Sequence, residues 1–226
     1  MNLTLFDLDG TLIETDSDHA FGEFMVTIGW ADGDAYRRRN DAFYDDYQAA
    51  RLDIDAYIDF ATAAWRDRAE AQAQAMRERF MREVMRPVFD ERAMSLVRAH
   101  QTTGDLVAIV TATNEFITRP IADAFGVADL IAVELVRDSQ GRVTGAVRGV
   151  PSFREGKVVR VEQWLAGQGL RHADFERITV YGDSTNDLPL LEWATHPVAT
   201  NPGPAMAAIA RERGWPVLNL FKEDQP

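Results

Sequence analysis

The chain contains no cysteine, which excludes disulfides and thiolate zinc sites together. No stretch approaches the ~20 consecutive apolar residues that a membrane helix needs. The N-terminus lacks a basic segment followed by an apolar one, so no signal peptide is expected and the cytoplasm is the expected location. Positive charge is also in short supply. Lys and Arg total 24 against 36 Asp and Glu, a formal net charge of -12. Such a field repels a phosphate backbone, so nucleic acid is not an expected partner. A small phosphate ester meets the same repulsion unless cations are placed locally. Repeats and low-complexity tracts are missing too, and only the tail 222–226 reads as disordered.

What is present is ordinary for a globular protein: 46% hydrophobic and 27% charged residues in a chain of 226, enough for one core with a smaller accessory domain. An apolar run, 3–6, reads as a buried strand leading into Asp7-Leu8-Asp9-Gly10-Thr11. Helical texture then dominates 16–88. Helices are expected over 17–28, capped by Ser17 or Asp18, over 32–48, over 54–65 capped by Asp53, and over 70–85 with Pro87 at the exit. About seventy helical residues exceed a normal crossover connection, so 16–86 is read as an inserted helical domain and 1–15 with 87–226 as the core. From 89 onward strands (105–110, 130–135, 143–147, 178–181, 197–200, 215–219) alternate with helices (91–100, 115–125, 155–168, 187–193, 205–212). Residues 137–142 form a turn between two of those strands. The alternation predicts an α/β fold, a Rossmann-like parallel sheet with helices on both faces and the helical domain inserted as a cap.

In open parallel sheets, ligands gather at the carboxyl ends of the strands. There the sequence supplies Asp7, Asp9 and Thr11 after the first strand and Thr111 in Thr111-Ala112-Thr113-Asn114. After the strand at 178–181 come Asp183 and Asp187, within Gly182-Asp183-Ser184-Thr185-Asn186-Asp187. Lys157 lies near the start of the preceding helix. Each has a bland reading: Asp-x-Asp-Gly as a turn, Thr111 as a helix cap, Lys157 as a surface charge, Asp187 as a helix-start acid. Their joint occurrence in this order points to a catalytic site.

This order resembles the haloacid dehalogenase-like (HAD) hydrolase superfamily, whose four motifs match at Asp7-Leu8-Asp9-Gly10-Thr11, Thr111, Lys157 and the 182–187 segment. The insertion after the first motif is similar to the family's type 1 cap. The closest branch is phosphoserine-phosphatase-like. A tighter similarity, to bacterial HAD-type histidinol phosphatases, rests on Asp16-Ser17-Asp18-His19, Arg39-Asn40-Asp41-Ala42-Phe43-Tyr44 and Thr111-Ala112-Thr113-Asn114. The resemblance implies a Mg²⁺-dependent phosphatase acting on a small phosphorylated metabolite. Asp7 would be the nucleophile that becomes an aspartyl-phosphate, Asp9 the general acid and base, and Lys157 the fixed cation. Thr111 would bind the phosphoryl group, with Ala112, Thr113, Asp16 and Asp18 as further substrate-binding positions. Asp7, Asp183 and the Asp9 carbonyl would hold Mg²⁺, with Asp187 and Thr11 behind them.

The resemblance leaves three rivals. A dehalogenase would not need Asp9 or Asp183, and a non-catalytic module would not need the set at all. A phosphotransferase sharing the motifs stays open, as does phosphoserine as substrate. Against phosphoserine, Arg51 and Arg66 flank the stretch 52–59 but no arginine lies within it. Histidinol phosphate carries an ammonium and an imidazole but no carboxylate, which suits Asp16, Asp18, Phe43, Tyr44 and Tyr47, though Phe43 and Tyr47 equally read as cap core. His19 reads as structural, Arg37, Arg38 and Arg39 as a solvated helix face, and His100, His172 and His196 show no useful spacing.

Overall fold

The structure, a computed structural model, describes residues 1–49 and 51–221. The tail 222–226, expected to be disordered, lies outside the described residues. Six strands form one sheet in the order β3-β2-β1-β6-β7-β8: β1 (Asn2–Phe6), β2 (Leu106–Asn114), β3 (Asp129–Val133), β6 (Arg177–Gly182), β7 (His196–Thr200) and β8 (Val217–Leu218). Every pairing is parallel. The chain moves outward from β1 to β3, then returns to the other side of β1 at β6. The strand order therefore reverses at β1, and such a reversal opens a crevice at the carboxyl ends. Phe6 is in register with Ile109 on one side and Tyr181 on the other, so the residues following these three strands converge.

Successive side chains of a strand point to opposite faces, and both faces are covered. Leu3 and Leu5 pack with Val161 and Leu165 of α7 (Glu155–Gly167), Leu190 and Leu191 of α8 (Leu188–Trp193), and Met206 and Ala210 of α9 (Pro204–Arg213). Phe6 faces the other way, toward Val97 of α5 (Glu91–Thr102) and Ile121 of α6 (Glu115–Ala124). That second apolar cluster continues into α1 (Ser17–Thr27), α3 (Ile54–Ala63) and α4 (Glu70–Phe80) through Phe21, Ile58 and Phe80. The helical insertion, which also contains α2 (Gly33–Gln48), thus shares its core with the sheet. Each such fully buried side chain contributes about 1.5–3 kcal/mol.

Local differences from the expected elements have identifiable causes. Asp16, not Ser17 or Asp18, caps α1, its carboxylate accepting the His19 N–H at 2.7 Å. The helix expected to reach 85 ends at Phe80 and loosens into a π turn, Met81–Met85, and a 3-10 turn, Arg86–Val88, around Pro87, which has no N–H to give. β2 runs on through Thr111 to Asn114, so Thr111 lies within a strand; Asn114 caps α6 instead, accepting the Ile117 N–H at 3.3 Å. The strand expected over 130–135 breaks after Val133, because the Leu135 N–H turns to the Glu115 carboxylate at 3.0 Å. Leu135 then opens β4 (Leu135–Arg137), which pairs antiparallel with β5 (Val143–Val147) in a separate hairpin. That hairpin lies against α3, where the Arg66–Asp59 pair covers Gly145.

Candidate active site

Asp7 follows β1 directly and is 3% exposed. Its N–H donates to the Tyr181 carbonyl at 2.9 Å, which extends the β1–β6 ladder by one residue and fixes where the carboxylate starts. The ammonium of Lys157, on the first turn of α7 and fully buried, sits 2.6 Å from Asp7 Oδ1 and 2.5 Å from Asp187 Oδ1. The second Asp187 oxygen accepts from the Ser184 N–H at 3.2 Å and hydroxyl at 3.0 Å. Asp187 ends the 3-10 turn Thr185–Asp187 and occupies the N-cap position of α8, at the helix start the sequence suggested. Its carboxylate is thereby committed to holding the lysine and the turn.

Asp9 points into the crevice, its Oδ1 taking the Ser17 N–H at 2.7 Å and its Oδ2 the Thr113 hydroxyl at 3.0 Å. Thr111 is buried, and its Oγ1 accepts the Thr113 N–H at 3.1 Å. Between Asp9 and Thr11 the chain turns through Gly10 at φ +79°, where a side chain is strained. A Cβ on Gly10 would also lie 2.5 Å from Asp183 Oδ2, so glycine lets the carboxylate approach this backbone. Thr11 donates to Asp183 Oδ1 at 3.4 Å. Asn201 braces the turn from the far side, donating to the Gly10 carbonyl at 2.9 Å and that of Thr11 at 3.2 Å. Nothing in the sequence pattern singled out Asn201.

The electrostatics are unbalanced. Burial and the neighbouring Asp187 raise Asp7 to about 7, against the pull of Lys157. Burial and Asp16 raise Asp9 to about 7. Asp183 is pushed well above the carboxylate range by burial, then by Asp187 and Asp7. One buried ammonium does not compensate these groups, and buried charges left uncompensated are costly. A metal ion fits the imbalance. Oxygens of Asp7, Asp183 and Asp187 lie within 4.8 Å of one another. Asp7 Oδ2 is buried without a hydrogen-bond partner. Because both Asp187 oxygens are engaged, Asp7 and Asp183 are the carboxylates with capacity left for an ion. An all-oxygen donor set suits a hard divalent cation.

The shifts fix a sign for stability. An acid whose folded pKa is raised contributes stability that is complete below its unfolded value, near 3.8, and lost as pH rises through the folded one, about 7 for Asp7 and Asp9. The metal-free protein is therefore expected to lose thermal stability between pH 5 and 8, by at least the 2–4 °C that ~1 kcal/mol produces in a domain of this size. A divalent cation is expected to flatten the decline. Scanning fluorimetry with and without chelator measures both; a Tm rising steadily from pH 5 to 8 would contradict the assignment.

Beside Asp9 opens a pocket of about 420 Å³. Asp16 and Asp18 line it with His19, Asn40, Phe43, Tyr44, Tyr47, Tyr57, Ala112 and Thr113, and no lysine or arginine is among the described residues of its wall. Asp18 Oδ1 is buried without a hydrogen-bond partner. Burial, then Asp16 and Asp9, raise Asp18 well above the carboxylate range. Burial also raises Asp16, against the bond from His19. His19 both lines the pocket and pairs with Asp41 at 2.8 Å, its ring 5.0 Å from that of Tyr44. Phe43 does double service, on the wall and packed against the core. Arg51 pairs outward with Asp46 at 2.8 Å and Arg66 with Asp59 at 2.5 Å, so neither arginine enters the pocket. Arg37 pairs with Glu23 and Arg39 lies over Phe43 and Phe60. Asn40 and Tyr57 were not assigned to the site from sequence; both lie on helix faces whose inward direction only packing sets.

A family model described as haloacid dehalogenase-like hydrolase matches residues 4–192. The chain is 41% identical over 219 residues to the histidinol-phosphatase of Neisseria meningitidis serogroup C (strain 8013), covering 97% of this chain and 99% of that protein. It is 26% identical over 225 residues to phosphoserine phosphatase SerB1 of Mycobacterium tuberculosis, covering 95% and 70% respectively. Among solved structures, a protein of unknown function from Bordetella pertussis Tohama I superposes with a TM-score of 0.91 at 47% identity, over 97% of this chain and 99% of that one. A substrate-bound phosphoserine phosphatase superposes with a TM-score of 0.68 at 17% identity, over 98% and 93%, a likeness of fold.

Proposed function

This chain belongs to the haloacid dehalogenase-like hydrolases, and from that premise we propose that it is a phosphatase whose substrate is histidinol phosphate, hydrolysed through an aspartyl-phosphate on Asp7. The observation that carries the substrate is the pocket beside Asp9, with Asp16, Asp18 and aromatic side chains on its wall and no lysine or arginine among its described residues. A substrate with a carboxylate would bury it there unpaired against like charge. One with an ammonium and an imidazole meets acids and rings instead. A bound ammonium also lowers the pKa of a nearby carboxyl, so Asp18, held high in the empty pocket, ionises as the substrate enters. The 41% identity to a histidinol-phosphatase over nearly the whole length supports the same reading.

In this reading residues 16–86 are the cap and 1–15 with 87–226 the core. Asp7 and Asp183, with the Asp9 carbonyl, would hold Mg²⁺, which supplies charge neutralisation on the phosphoryl oxygens when bound. Thr111 binds a phosphoryl oxygen, while Lys157 adds a fixed positive charge and orients Asp7. Thr11 and Asp187 support these groups from behind. Asp7 attacks phosphorus, and the P–O bond to the leaving alcohol breaks as Asp9 gives that oxygen its proton. Asp9, now a base, takes a proton from water as the water attacks the aspartyl-phosphate, releasing phosphate and restoring the Asp7 carboxylate.

A phosphate-release screen with Mg²⁺ or chelator, over histidinol phosphate, phosphoserine and sugar phosphates, tests this. Activity is expected to vanish with chelator and to be highest on histidinol phosphate; a sugar phosphate at the head of the panel would overturn the substrate. Within the pocket, Asp18→Asn is expected to raise KM for histidinol phosphate by about tenfold, the worth of one charge-assisted hydrogen bond. The amide replaces a carboxyl that burial already disfavours as an anion, so Tm should not fall. An unchanged KM would remove Asp18 from substrate binding.

A further inference from the structure

A second cleft, of about 550 Å³, runs between α4 and the β4–β5 hairpin and shares no lining residue with the pocket at Asp9. Arg66, Arg68, Arg77, Arg137 and Arg142 line it, with Glu70 as the one acid among the described residues of its wall. This concentration stands out in a chain of net charge -12. Glu70 is turned to Gln74, whose amide donates to it at 3.2 Å. Arg66, Arg137 and Arg142 pair with Asp59, Glu115 and Asp138. Arg68 and Arg77 have no ion pair among the described residues. Each instead has its guanidinium over a ring, Arg68 over Trp30 at 4.7 Å and Arg77 over Phe116 at 4.8 Å from the centroid. Stacking uses the face of a guanidinium and leaves its in-plane N–H donors available; Arg77 spends one on the Phe116 carbonyl at 3.3 Å. Burial, with the Arg137 charge adding to it, holds Arg77 below its ordinary pKa against the opposing pull of Glu78 and Asp123.

We propose that this cleft is a binding site for a small multivalent anion, taken up by Arg68 and Arg77. Phosphoryl and carboxylate groups share the chemistry that planar guanidinium groups recognise. The occupant would touch α4 of the helical insertion, the hairpin, and the start of α6, which follows directly on Thr113 and Asn114. It would therefore act away from the substrate pocket and would not compete with substrate.

Calorimetric titration of the metal-free full-length protein with pyrophosphate and, in parallel, tricarballylate tests the site and separates the two chemistries. Saturable binding of at least one probe at low salt is expected, lost at high salt. It should weaken about tenfold or more in R68Q/R77Q and change less than twofold in D9N. Phosphatase activity of R68Q/R77Q without added anion should stay at the wild-type level, which checks the fold. Failure of both probes to bind, or binding that is indifferent to R68Q/R77Q, or loss in D9N instead, would overturn the proposal.

Discussion

Asp7→Asn is expected to lower kcat by about 10,000-fold or more, the scale seen when a nucleophile is removed from an otherwise intact site. The size follows from the chemistry. An amide oxygen neither attacks a phosphate monoester dianion usefully nor leaves as a carboxylate, so the covalent route closes and only positioning remains. The loss should not come from unfolding. Asparagine has the shape of aspartate, and Lys157 keeps Asp187 at 2.5 Å. The replaced charge is one that burial and Asp187 already penalise. A Tm equal to or above wild type is therefore expected beside the kinetic loss, with a smaller fall in stability between pH 5 and 8. Turnover within tenfold of wild type would end the case for Asp7 as nucleophile.

The second large effect belongs to Asp9. Asp9→Asn is expected to lower kcat by about 100- to 10,000-fold, the range of a positioned general acid and base. Both neighbours of the carboxylate can be kept: the amide oxygen still accepts the Ser17 N–H, and the amide N–H₂ can donate to Thr113 Oγ1, which now accepts instead of donating. What disappears is a proton that can be exchanged. Since burial holds Asp9 near about 7, the wild-type enzyme should lose kcat as pH rises past that value and the acid form empties. That limb should be missing in the variant, whose residual rate should be flat there. A variant that keeps the limb would assign the proton transfer to another group.

How far the sequence reached can be judged residue by residue. Asp7, Asp9 and Asp183 were legible because they come within a few residues of the end of an apolar strand, and Thr111 because it closes the apolar run of β2; a parallel sheet brings such positions together. Lys157 required the resemblance, since nothing in a helix start such as Gly156-Lys157 says that its ammonium is buried. The break after Val133 was hidden because Leu130 to Leu135 reads as one strand interrupted only by Glu134, and the diversion of the Leu135 N–H to Glu115 is a contact between distant segments. The pocket wall was half visible. Asp16 and Asp18 sit next to the first motif, whereas Asn40 and Tyr57 come from α2 and α3, whose rotation is set by packing. Asn186 is a similar case: its amide donates to the Tyr47 carbonyl at 3.0 Å and so ties the helical insertion to the loop bearing Asp183 and Asp187. His100 looked isolated in sequence. It is bonded to Asp105 at 2.7 Å and to the Tyr181 hydroxyl at 2.9 Å, a bridge that only the folded sheet creates.

The substrate claim and the pocket's charge stand or fall together, and one comparison bears on both: kcat/KM for histidinol phosphate against kcat/KM for phosphoserine, measured on the wild-type enzyme with Mg²⁺ at a single pH. A carboxylate facing Asp16 and Asp18 forfeits at least one charge-assisted bond, so a preference of about tenfold or more for histidinol phosphate is predicted. Equal values, or a preference for phosphoserine, would contradict it.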